Sequence, residues 1–351
     1  MLKKIMASGL LVLILLSQIA CNSGSSSLRS KAGQRQEYHF SGQFDSFTII
    51  LDEGKQPELI KKLGQKLDYY HQLFTPYEEY PGLENLAYVN REASLRSVEL
   101  DPELNSVLEL AWSGSKASHN AFNPALGELV LVWRELRDQI QAAATDLSLP
   151  SSETLKAALS SSDLESIDYD SKAGSIHFNN PHSKLDLGGV AKGWAVEALA
   201  QMALKEGGDH LLISVGGNVR AVGRKANGEP WRVLIQDPFK GSKINFPQLI
   251  IELEDEALVT SGLYERYFEF QGKRYAHILD PESGWPQDQY ISISVLAPDS
   301  GLADLLATAL FNLDLKSGKA LVEAYGVEAL WIDQAGNIEQ TEGFKKRLLP
   351  D

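Results

Sequence analysis

Three groups of residues in this chain carry chemistry at useful spacing. The first is Asp186, Gly188, Gly189 and Lys192, within residues 184–200. A carboxylate precedes a glycine pair, and a cation follows it where an apolar-periodic segment begins. Exposed backbone N–H groups at a helix start, with a lysine nearby, make an anion site. The pattern suits a phosphate-bearing ligand, and equally a strand-to-helix turn whose glycines serve tight packing. The second group is Asp304 and Thr308, four apart and so on one helix face. A carboxylate and a hydroxyl offer hard oxygens to Mg²⁺, which takes few protein ligands and leaves the rest to water or substrate phosphate. The alternative is a first-turn aspartate answering the helix dipole, with Thr308 facing the core. The third is His277, one of 7 histidines, in His277-Ile278-Leu279-Asp280-Pro281. An imidazole takes a proton from a hydroxyl near neutral pH. A histidine there could as well just bond a backbone carbonyl, and Asp280-Pro281 reads most simply as a turn.

The elements that must position these groups follow from periodicity and turn signals. Residues 176–187 read as the strand before the glycine pair, with a helix after it. Residues 38–51 are strand-like, broken at Gly42, and 58–73 have helical period. Residues 74–90 read as a long loop, whose Tyr77 and Tyr80 line a pocket or plug the surface. Residues 102–118 form a helix, with Asp101 as cap and Pro102 at its first position. A turn at 122–127 leads into an apolar run ending at Trp133, and 139–161 read as a solvated helical insert. A hairpin spans 167–178. Residues 209–220 read as a buried strand ending at Gly216-Gly217, a place for ligand approach or a bulge. Strands follow at 231–235, 249–253 and 257–261, then a hairpin about Gln271-Gly272. A strand at 291–296, a helix at 301–313 and a strand at 329–332 complete the chain. Strands in runs, with helices interspersed and few βαβ units, predict an α+β fold.

The composition is globular, with 43% hydrophobic and 23% charged residues over 351 positions. A net charge of −14 argues against nucleic acid as a partner and suits a soluble extracytoplasmic body with a need for divalent metal. Residues 1–20 read as a secretory signal: Lys3 and Lys4 precede a short apolar core, then the only cysteine, Cys21. The setting after Ala20 resembles a bacterial lipobox, with Gln18 where such boxes usually carry Leu. The expectation is a lipidated Cys21 and anchoring on the extracytoplasmic side of a membrane. Ordinary signal cleavage with an incidental cysteine is the other reading. Residues 21–36 then form a flexible tether, and 37–351 the catalytic domain.

Six ordered segments together resemble the ApbE family, the FAD:protein FMN transferases. They are Phe122-Asn123-Pro124-Ala125-Leu126-Gly127, Leu185-Asp186-Leu187-Gly188-Gly189-Val190-Ala191-Lys192-Gly193, Ile213-Ser214-Val215-Gly216-Gly217-Asn218-Val219-Arg220, Val259-Thr260-Ser261-Gly262, His277-Ile278-Leu279-Asp280-Pro281, and residues 302–311. The resemblance covers roughly residues 38–343. It implies a single catalytic domain with an ApbE-like, T-fold-related architecture of mixed, mainly antiparallel sheets and packed helices. It also implies Mg²⁺-dependent transfer of FMN from FAD to a Thr or Ser hydroxyl of a partner flavoprotein, such as an electron-transport subunit, with release of AMP. By position, Asp186, Lys192 and the backbone near Ile278 would contact FAD. The Gly189 carbonyl, Asp304 and Thr308 would surround the metal, with Ala307 nearby, and His277 would be the base. Asn123, Pro124, Ala125, Phe44 and the Tyr77–Tyr80 loop would line the flavin pocket. The chain departs from the family pattern in two places. Phe44-Asp45-Ser46 stands for a Met-Gly-Thr-like segment, and Glu84-Asn85 for a Ser-Glu loop. Hydrolysis of FAD to FMN and AMP, or flavin binding by a non-catalytic lipoprotein, are the competing functions.

Overall fold

The computed structural model describes residues 27–29 and 36–350, apart from position 245. The expected signal, Cys21 and most of the expected tether lie outside the described residues. Ser27–Arg29, within the stretch read as tether, pairs antiparallel with Gln36–Ser41.

A nine-stranded sheet organises the chain. Across it run Ser27–Arg29, Gln36–Ser41, Phe47–Asp52, His210–Val215, Asn218–Gly223, Ala257–Gly262, Tyr290–Ala297, Glu328–Asp333 and Ile338–Gln340, every neighbour antiparallel. The central strands are apolar on both faces, because each face is covered. Successive side chains point to opposite faces. Ile50, Ile213 and Val295 therefore join one core cluster, while their neighbours Leu51, Leu212 and Leu296 join another. The first cluster lies under the helices Pro57–Phe74, Ala191–Lys205 and Ser300–Phe311. The second lies under the two-stranded ribbon of Trp231–Ile235 and Leu249–Leu253. A third cluster joins Gly127–Gln141 and Ser152–Ser160 to the hairpin of Tyr267–Phe270 and Lys273–Ala276.

This is the α+β architecture that the strand runs predict. Several local expectations change. The strand expected over 176–187 ends at Phe178, and residues 179–187 are loop. The helical insert expected over 139–161 is the end of one helix, a loop, and a separate helix Ser152–Ser160 capped by Ser151. The loop expected over 74–90 contains the helix Leu86–Glu92, capped by Asn85. Gly216 and Gly217 are neither bulge nor strand end. Both have positive φ, 46° and 83°, and they turn His210–Val215 directly into Asn218–Gly223. Two left-handed residues between antiparallel strands suit the strands' twist, and glycine adopts them without a Cβ clash.

Candidate active site

The helices Ala191–Lys205 and Ser300–Phe311 cross at Gly193. A Cβ there would collide with the Ser300 carbonyl and the Asp304 side chain. The missing side chain lets the Gly193 N–H donate to Asp304 Oδ2 at 2.9 Å. Here the glycine makes room for a neighbouring helix, not for a ligand. Asp304 is only 2% exposed. Its carboxylate does not cap its own helix; Asp299 does that, accepting from the Leu302 N–H. Lys192, one residue before Gly193, brings its Nζ to 3.7 Å from Asp304 Oδ2.

One turn along the same helix, the Thr308 hydroxyl lies 3.2 Å from the Gly189 carbonyl and 3.1 Å from the Asp304 carbonyl. A Cβ on Gly189 would sit 2.9 Å from Thr308 Oγ1, so this approach needs glycine. No hydrogen bond among the described residues engages Asp304 Oδ1. Asp304 Oδ1, Thr308 Oγ1 and the Gly189 carbonyl are all hard oxygens, which suits Mg²⁺. Among the described residues there is no cluster of three or more His, Cys, Asp or Glu that could hold a metal. The set fits only an ion content with few protein ligands. Ala307 is buried on the same helix.

Asp186 stands at the other end of the glycine loop. Its N–H donates to the Pro124 carbonyl at 2.8 Å. Its carboxylate accepts from the Gly188 N–H at 2.7 Å and the Tyr77 hydroxyl at 3.1 Å. Burial raises the pKa of this carboxyl, against the Gly188 N–H, the Tyr77 hydroxyl, Arg134 and Lys192, which all favour the charge. The Arg134 guanidinium lies 3.6 Å from the centroid of the Tyr77 ring. Tyr80 bonds Glu78 and none of these groups. Asn123 turns its side chain to the Ser162 carbonyl and the Ala125 N–H. Asn123, Pro124 and Ala125 thus hold the Asp186 segment in place through their backbone, with Ala125 fully buried.

The third group closes the rim. His277 Nδ1 lies 3.0 Å from the Arg266 carbonyl, and the His277 N–H donates to the same oxygen at 3.3 Å. A ring nitrogen facing a carbonyl carries the proton, leaving Nε2 with a free lone pair. Desolvation above all, then the Arg266 and Lys192 cations, holds the imidazole neutral down to about 3. Ile278 is buried, and its carbonyl accepts from the Gln287 N–H at 2.9 Å. Arg266 also grips the Phe44 and Asp45 carbonyls and the Ser46 hydroxyl. Phe44 and Asp45 have φ of 52° and 50°. Bulky residues in that region are strained and persist only where the surroundings dictate it; here the Arg266 guanidinium is the tie. Asp280 organises its own turn by accepting from Glu282 and Ser283, as its position before Pro281 predicts.

Sequence reasoning missed four positioning residues. Asn90 pairs both ways with the Leu185 backbone, at 2.8 and 2.7 Å. Buried Asn85 ties the Tyr77 loop through the Glu78 carbonyl at 2.7 Å. Arg134 and Arg266 hold Tyr77 and His277. Asparagines in polar loops and arginines among surface-type residues carry no periodic signal. Only Asn85, followed by an apolar run, had the look of a cap.

The sequence matches the ApbE family over residues 43–331. This chain belongs to the ApbE family. It is 35% identical over 282 residues to the FAD:protein FMN transferase of Treponema pallidum, covering 75% of this chain and 74% of that protein. It is 28% identical over 325 residues to the FAD:protein FMN transferase of Salmonella typhimurium, covering 92% and 89%. The crystal structure of the ApbE protein from Thermotoga maritima superposes with a TM-score of 0.77 at 27% identity, over 90% of this chain and all of that one. These matches make the shared fold and family membership firm, and the six motif segments fall within the matched region apart from none of the candidate residues.

Proposed function

We propose that this chain is an FAD:protein FMN transferase. The observation that carries the reading is the convergence of the Gly189 carbonyl, Asp304, Thr308 and Lys192 at one helix crossing, in a chain of this family. On this reading the FAD pyrophosphate lies along the glycine loop. Lys192 neutralises phosphate charge, and Asp186 orients the nucleotide through its carboxylate. Asp304 Oδ1, Thr308 Oγ1 and the Gly189 carbonyl would hold Mg²⁺. When bound, the ion neutralises the pyrophosphate as its bridging bond breaks. His277 Nε2 faces outward as an acceptor for the proton of a Thr or Ser hydroxyl on the partner flavoprotein. AMP is the leaving group. Phe44, Ile278 and Tyr77 frame the remainder of the FAD site.

Cys21 would carry the lipid anchor, and the catalytic body would work on the extracytoplasmic side. No helix among the described residues is long and apolar enough to cross a membrane. Loss of membrane fractionation and of palmitate labelling in Cys21→Ala is the expected result.

The deciding experiment incubates the protein with FAD, Mg²⁺ and a candidate acceptor domain. Flavin fluorescence on the denatured acceptor, with one AMP per label, is expected. AMP without labelling would mean hydrolysis, and neither product would mean a flavin binder.

A further inference from the structure

The Gly216-Gly217 turn brings a second acidic group to the site. A side chain at Gly216 would come within 3.9 Å of the Lys192 stem. A side chain at Gly217 would lie 3.3 and 3.5 Å from the two carboxylate oxygens of Glu265. Lys192 and Glu265 therefore flank adjacent residues of one turn, and Lys192 in turn reaches Asp304. Glu265 also directly precedes Arg266, whose carbonyl orients His277. The Glu265 backbone is fixed by its N–H on the Gly262 carbonyl, at 3.3 Å. Its carboxylate has no hydrogen bond or ion pair among the described residues, although two cations lie near it.

From this geometry we propose that Glu265 is a further catalytic residue, the final acceptor of the proton lost by the attacking hydroxyl. The inference rests on the transferase reading. The acceptor O–H bond breaks as its oxygen bonds to the FMN phosphorus, and the phosphorus–oxygen bond to AMP breaks with its electron pair leaving on AMP. The proton passes through His277 or directly to the Glu265 carboxylate, and then to solvent. The sum is FAD plus hydroxyl giving FMN ester, AMP and a proton.

Charge argues for the assignment. A protonated His277 would face both Arg266 and Lys192, which oppose it. Glu265 has the opposite environment. Burial raises its carboxyl to about 7, with Lys192 and Arg266 pulling down and Asp304 pushing up. The Tyr264 hydroxyl beside it stays protonated, pushed up by its own burial and by Glu265. A base that titrates near the working pH transfers protons most effectively.

The test compares wild type with Glu265→Gln and Glu265→Asp, measuring AMP release against pH and FAD affinity separately. We expect Glu265→Gln to lower kcat by roughly 10²-fold with FAD affinity within about threefold. The wild-type rise in kcat around pH 7 should disappear in Glu265→Gln and return, displaced, in Glu265→Asp. A Glu265→Gln enzyme with kcat within threefold of wild type and the same pH profile overturns the proposal. So does loss of FAD binding in folded Glu265→Gln, since the residue then serves binding. Should Glu265→Gln not fold, the Glu265→Asp profile decides: an unshifted inflection overturns the proposal. If wild type releases AMP but labels no acceptor, the transferase reading fails, while the effect of Glu265 on AMP release still decides this inference.

Discussion

His277 and Asp304 carry opposite burdens. His277 must stay neutral in the folded protein, whereas in the unfolded chain it binds a proton below about 6.5. Its folded value lies lower, at about 3, so the unfolded state binds more protons across that window. Stability contributed by this group is complete above 6.5 and is lost as pH falls toward 3. The urea midpoint of His277→Gln should therefore fall less than that of wild type between pH 6.5 and 4. An equal fall in both would show that the imidazole is not the group responsible. At neutral pH, His277→Ala should keep FAD binding and lose acceptor labelling by on the order of 10²-fold; undiminished labelling would remove it as the base. Asp304→Ala should cost roughly 10²-fold or more in AMP release, the scale for removing one charge-stabilising group, with the fold retained. Wild-type turnover in that variant, or full activity in excess EDTA, would sink the metal assignment.

At the scale of elements, the helix crossing at Gly193 sets the site. Gly193→Ala forces a methyl group against the Ser300 carbonyl and Asp304, and overpacking of this kind costs about 1–3 kcal/mol. The variant should lose more activity than stability, because Asp304 moves before the fold fails; a thermal scan beside a turnover assay separates the two. The helix containing Asp304 was readable from its apolar period and from Asp299 as cap. The i, i+4 pair on it was readable too. Its partner, Gly189, was readable only as a glycine with two meanings, since no local pattern says which side chain will approach from 119 positions away. The same limit applies to Gly216-Gly217: both positive φ values arise from the two strands they join, and the second strand's pairing is a tertiary fact. Helix Leu86–Glu92 was hidden because it is short and lies in a polar, tyrosine-rich stretch.

Across the whole molecule, one buried ion pair ties the layers together. Arg220, on the sheet, donates to Glu197 Oε2 at 2.9 Å, and the Ser300 N–H reaches the same oxygen at 3.0 Å. Sheet, glycine-loop helix and the start of the Asp304 helix thus meet at one carboxylate. Removing one member of a buried pair leaves the other uncompensated. Arg220→Ala should lower unfolding stability by about 3–5 kcal/mol, measured by denaturant titration; a loss under about 1 kcal/mol would mean that the pair is well solvated. The strand alternation that made Ile50 and Leu51 face opposite cores was visible as continuous apolar runs, but which layer covered which face was not.

The contact between Asp304 and the Gly193 N–H spans 111 positions of chain. No segment folding alone can form the site, so any ligand that needs it binds the native state and not the unfolded chain. Ligand concentration and folding equilibrium are therefore linked: FAD with Mg²⁺ should raise the melting temperature by mass action, by an amount that grows with the logarithm of concentration. Gly193 thus makes substrate supply a factor in how long the protein survives unfolding.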